Sequence, residues 1–202
     1  MSPDAQAEPD FQPDWEEYYD AIKGRPPRDT LIKALEMAPE PGMAVDIGCG
    51  DGRDTVELLR RGWHVLAVDG EAEGITRLLQ RPDINTAHLK TQVVRFEALQ
   101  LPAADLINAS FSLPFCPPAA FPTLWHNIVT SLRTGGVFCG QLFGDRDSWA
   151  VYLSLTHHSR QQVEDMLQPF EIVLLEEEEH PGKTATGQEK HWHLFQIVAR
   201  KQ

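Results

Sequence analysis

Three glycines at alternate positions, Gly48, Gly50 and Gly52, follow an acid, Asp46, that closes a short apolar run. Glycine at this spacing opens backbone conformations closed to other residues and lets a ligand approach the main chain. A second acid, Asp69, closes the next apolar run 21 residues beyond Gly48 and precedes Gly70. An acid about 20 residues beyond such a turn can hold ribose hydroxyls. The spacing also discriminates among ligands. A dinucleotide turn reads GxGxxG and presents a helix N-terminus to a pyrophosphate. Here the third glycine comes one position early, and Arg53 stands in the fingerprint's place. Asp46 would repel a diphosphate, yet it could accept hydrogen bonds from an ammonium group. A cofactor with a zwitterionic amino-acid arm fits better. The P-loop pattern GxxxxGK[ST] is missing from the chain.

Histidines form the second group with chemical potential. His157, His158, His180, His191 and His193 cluster in the last quarter of the chain. His191 and His193 alternate along a predicted strand and so share one face. With His180 across a hairpin they could act as bases or bind a metal. They lack an accompanying HExxH pattern or cysteine cluster, so exposed edge-strand histidines are the simpler reading and no metal is expected. Glu176 to Glu179 reads as a solvated strand end, its repulsion offset by Lys183, Lys190 or Arg200.

These residues need elements to hold them. Residues 1–14 are rich in Pro, Asp, Glu and Gln and read as a flexible tail. Short helices are expected at 14–22 and 30–37, broken by Pro26 and Pro27. Strands are expected at 44–47, 63–68, 91–96, 105–110, 137–143, 171–175 and 191–199. Helices are expected at 53–61, 71–80 and 121–132, with another starting at Ser159 on a capping-box pattern. Pro181 to Gly187 reads as a hairpin loop. Strands alternating with helices predict an α/β fold with a doubly wound parallel sheet and an antiparallel edge at the end.

Composition narrows the function classes. The 202 residues fit one domain with a sizeable core. A net charge of −12 argues against general nucleic-acid binding, which needs a basic footprint. No apolar run is long enough to span a membrane, and the N-terminus lacks a signal-peptide pattern. Cys49, Cys116 and Cys139 are odd in number and form no CxxC pair, which suits a reducing cytoplasm.

The ordered motifs resemble those of class I S-adenosylmethionine (SAM)-dependent methyltransferases, of the small bacterial, tellurite-resistance type. Val45 to Gly52 is similar to that family's first motif, hh(D/E)hGxGxG. The resemblance implies a Rossmann-like seven-stranded sheet, mostly parallel with an antiparallel C-terminal strand. It covers residues 15–202, as an N-terminal helical lid (15–42) and a core (43–202). It implies that Asp46, Gly48, Cys49 and Gly50 line the methionine and ribose parts of SAM, and that Asp69 and Gly70 meet the ribose. Phe96, Glu97 and Ala98 match the adenine-side motif, although Asp is commoner than Glu there. Asn108, Ala109, Ser110 and Phe111 match the end of strand four, flanking cofactor and substrate. Leu132 to Phe138 is similar to an LxPGG turn, with Thr134 replacing proline. In the lid, Arg28 or Arg25 would pair the cofactor carboxylate, and Tyr19 is a candidate catalytic group beside His191 and His193. Methyl transfer dictates no fixed catalytic residue. The expected partner is a small-molecule methyl acceptor, for which Trp149 and Trp192 offer aromatic surface. The rival readings are a SAM-binding sensor or assembly protein and a protein or tRNA methyltransferase.

Overall fold

The computed structural model describes residues 10–38 and 40–202. Of the predicted tail, residues 1–9 lie outside the described residues, as does Pro39. Among the described residues, eight strands and six α-helices follow in order: α1 Trp15–Ile22, α2 Asp29–Met37, β1 Met43–Ile47, α3 Arg53–Arg60, β2 His64–Asp69 and α4 Ala72–Leu79. Then come β3 Leu89–Val93, β4 Ala104–Ala109, α5 Phe121–Ser131, β5 Leu132–Gly144, β6 His157–His158, α6 Arg160–Met166, β7 Phe170–Lys183 and β8 Glu189–Lys201.

The main path of the sheet runs β3-β2-β1-β4-β5-β8-β7, and the two-residue β6 pairs with β5. Strands β1 to β5 are parallel, while β8 lies antiparallel between β5 and β7. The seven expected strands are therefore present, with β6 added. Alternate residues of each central strand face opposite layers. Val45, Ile107, Phe138 and Ile197 pack with Trp125 and Ile128 of α5 and Val163 of α6. Their neighbours Ala44, Leu106, Val137 and Val198 pack with Leu31 of α2, Leu58 of α3 and Leu78 of α4. Helices on both faces explain why these strands are apolar throughout.

Local signals hold where they were specific. Gly62 follows α3 at φ +87°, and Ser159 and Gln162 close a reciprocal capping box on α6. Three expectations need correction. The third strand ends at Val93, and Phe96 instead opens a short 3-10 turn. Strand β7 is 14 residues long and continues through Glu176–Glu179 and Pro181. The connecting loop is therefore only 184–188. The glutamates are tolerated because β7 is an edge strand with a wet face, and Arg146, not the predicted lysines, pairs Glu177 and Glu179 at 2.9 and 2.8 Å. Finally, Phe11 is no loose tail. Its ring sits 4.6 Å from Trp149 and 5.7 Å from Phe115, and its N–H donates to Ser154.

Candidate active site

The glycine turn leaves β1 through three positive-φ residues, Gly48 at +70°, Gly50 at +52° and Gly52 at +86°. A Cβ on Gly48 would lie 2.2 Å from Cβ of Ser112, and one on Gly52 would lie 2.3 Å from Leu78. Ser112 cannot yield easily, being buried with its hydroxyl donating to Ile47 O at 2.6 Å. The N–H groups of Gly48 and Cys49 donate to Val68 O, and that of Gly52 donates to Cys49 O. Gly50 N–H donates to Asp69 at 2.7 Å. These four donors are spent inside the protein and are not free to cradle a pyrophosphate.

Asp69 ends β2 beside this turn. Its second oxygen accepts the Glu71 N–H at 2.8 Å. Burial raises its pKa, and the backbone N–H groups of Glu71 and Gly50 oppose that rise. A carboxylate has about four lone-pair positions, so two remain for a diol.

A cavity of about 580 Å³ opens over the carboxyl ends of β1, β2 and β4. It brings together Gly48, Gly50, Asp69, Gly70, Phe96, Glu97, Ser110, Arg28 and Tyr19 from the sequence reading. Ala98, Ala109, Cys49 and Asp46 do not line it. Ala109 and Cys49 point into the core layers.

Asp46 is enclosed at 1% exposure, and its carboxylate is engaged inside the protein rather than open to the cavity. Its oxygens accept from Thr55 Oγ1 at 2.5 Å and Asn108 Nδ2 at 2.8 Å. Asn108 also reaches Asp54, whose other oxygen accepts the Arg28 N–H. Asp46 thus braces the turn from below. Burial and the neighbouring Asp54 push its carboxyl up to about 7, from an ordinary 3.8. An acid raised on folding contributes stability that is complete below the unfolded pKa and is lost as pH rises through the folded one. Denaturant titrations should therefore show wild-type stability falling between about pH 4 and 7 relative to Asp46→Asn. Parallel profiles across that window would refute the raised value.

The candidate catalytic groups separate. Tyr19 lines the cavity, but its ring packs on Gly50 and its hydroxyl faces Gly74. Burial raises its pKa first, with the Asp69 charge adding, so it is a poor base near neutrality. His191 is exposed and pairs Glu179 at 3.1 Å. His193 is fully buried against Gly144, between Glu177 at 2.9 Å and the Arg146 N–H at 3.0 Å. Neither lines the cavity, and His180, which does, is held apart from both by the strand register. The N-terminal helical segment is tied to α3 and α4. Arg53 Nε donates to Pro26 O at 2.5 Å, and Arg77 of α4 pairs Asp20 of α1 at 2.5 Å.

Several residues of the site carry no recognisable motif. Gln141 interrupts an apolar strand, which was a usable signal. It is buried, donates to Thr30 and Gln196, and accepts the Phe111 N–H at 3.0 Å. That bond holds Phe111 at φ +52°, a conformation rare outside glycine. Phe11 and the hairpin tip at Lys183 and Thr184 also line the cavity.

Sheet order, glycine turn and ligand-end cavity together define the class I SAM-dependent methyltransferase fold, and SAM is the cofactor of that class. The model of the methyltransferase domain family matches residues 44–136, a little under half of the chain. Comparison with curated proteins gives no match. Among solved structures, TehB from Haemophilus influenzae superposes with a TM-score of 0.75 at 18% identity, over 93% of this chain and 67% of that one. NodS, an N-methyltransferase from Bradyrhizobium japonicum solved with S-adenosylhomocysteine (SAH), gives 0.67 at 15% identity, over 93% and 97%. The 1,6-didemethyltoxoflavin-N1-methyltransferase of Burkholderia thailandensis gives 0.64 at 20% identity, over 100% and 98%. Among the described residues, no helix is long and apolar enough to cross a membrane.

Proposed function

We propose that this protein transfers a methyl group from SAM to a nucleophilic atom of a small-molecule acceptor. One observation carries the reading: Gly48, Gly50 and Asp69 share a single cavity with a wall of aromatic side chains. A cofactor and an acceptor can thus meet without leaving the protein. Asp69 takes the ribose hydroxyls, Phe96 and Glu97 flank the adenine, and Arg28 lies toward the carboxylate of the amino-acid arm. When bound, SAM supplies an electrophilic methyl on sulfur. The chain's part is orientation and exclusion of water, which suffice for much of the acceleration. Helix α1 and Phe11 roof the site, and Gln141 positions Phe111 at its edge. The three buried free cysteines suit a reducing cytoplasm.

The test is titration calorimetry with SAM, SAH and NADH, followed by an acceptor screen with methyl-labelled SAM. SAM and SAH should bind, and NADH should not. Binding of NADH alone would sink the reading. Tight SAM binding without label in any acceptor would favour a sensor instead.

A further inference from the structure

The acceptor half of the cavity has a charge pattern that narrows its ligand. Trp149, Trp192 and Phe143 converge with centroids 5.9 to 6.2 Å apart, and Phe111 meets Trp192 edge-on at 6.3 Å. Trp149, Trp192 and Phe111 are half-buried, and all four rings line the cavity. Behind them lies Lys190, whose side chain is fully enclosed. Its ammonium stands 3.9 Å from the Trp149 centroid, 4.6 Å from Trp192 and 4.9 Å from Phe143. Asp147 pairs it, and that carboxylate is fixed by the N–H groups of Trp149 at 2.9 Å and His193 at 3.2 Å. On the other side, the Arg28 guanidinium sits 4.2 Å over Phe111.

Each of these rings therefore already engages a cation. An aromatic face attracts a positive charge through its quadrupole, and a cation bound on one side leaves the other a poorer cation site. The wall is unlike a cage for ammonium groups, whose faces must be free. An uncharged ring still gains stacking and apolar burial there. Glu178 lines the same cavity, one oxygen held by the Gln196 amide at 2.9 Å and the other 3.8 Å from His180. It offers a hydrogen-bond acceptor, and its one-third exposure screens its pull on a cation.

We propose that the acceptor is an uncharged planar aromatic molecule bearing an O–H, N–H or S–H, bound against the Trp149–Trp192–Phe111 wall. This rests on the methyltransferase reading above. The test uses protein saturated with SAH, after SAH binding has been measured on its own, so that failure of the cofactor reading is seen separately. Two probes of matched shape, 4-tert-butylphenol and 4-(trimethylammonio)phenol, are then titrated by calorimetry and tryptophan fluorescence. The neutral phenol should bind roughly ten-fold more tightly than the cation. Trp192→Leu should weaken the phenol by about ten-fold, with thermal melting confirming its fold and SAH affinity held within about two-fold as its control. Equal or tighter binding of the cation overturns the proposal. So does a protein that binds SAH but not the phenol, or phenol affinity undiminished in Trp192→Leu. Trp149→Leu supplies the same readout should Trp192→Leu fail to fold.

Discussion

Asp69→Ala is expected to weaken SAH binding by roughly a hundred-fold, about 2.8 kcal/mol. A hydrogen bond to a charged group is worth about 1.5–3 kcal/mol, and Asp69 has two lone-pair positions free for a diol. The same carboxylate accepts the N–H groups of Gly50 and Glu71, so alanine also loosens the turn. Asp69→Asn keeps the shape of the side chain and one acceptor oxygen, so it retains only one of the two backbone bonds; it should lose less affinity than alanine, about ten-fold, with a smaller fall in melting temperature. Calorimetry on both variants is decisive, because unchanged affinity in the alanine variant would remove Asp69 from the cofactor site.

Gly48→Ala should lower stability by about 3 kcal/mol, a fall of about 6–12 °C in Tm for a domain of this size. Two costs combine. The residue sits at φ +70°, where a side chain is strained, and its Cβ would meet the Ser112 Cβ at 2.2 Å. Gly135→Ala is the control, since that residue has φ +81° but open space around it. It should cost only about 1 kcal/mol. Thermal melts of the two variants measure the collision by difference. Equal losses would show that the turn relaxes around the new methyl group. SAH affinity of Gly48→Ala should fall at least about ten-fold, as the displaced turn forms the cavity floor.

Legibility in the sequence followed the physics of each element. Strands β1, β2, β4 and β5 are covered on both faces, so their apolar runs stood out. The glycine turn was legible because a close backbone approach tolerates few other residues. Asp46 was readable as a special acid but not as a buried brace, since its partners Thr55 and Asn108 come from separate elements. Strand β3 slipped because an exposed edge carries little apolar pattern. Strand β7 runs beyond the apolar stretch at 171–175, where its glutamates and proline carry no apolar alternation to mark a strand. Arg146, His193 and the strand β8 register supply their partners only in three dimensions. The aromatic wall was visible only as isolated tryptophans. Its Lys190–Asp147 support spans residues too far apart for spacing to reveal.

Strand β5 pairs with β8 only as far as Leu194, and from there to Glu189 strand β8 pairs with β7 alone. The hairpin tip that reaches the cavity thus extends beyond β5, from a base anchored by the buried Lys190 and His193. Lys183 and Thr184 at that tip line the cavity from outside the helical layers. Exchanges at the tip can therefore reshape that end of the cavity while the glycine turn at the opposite end stays as it is.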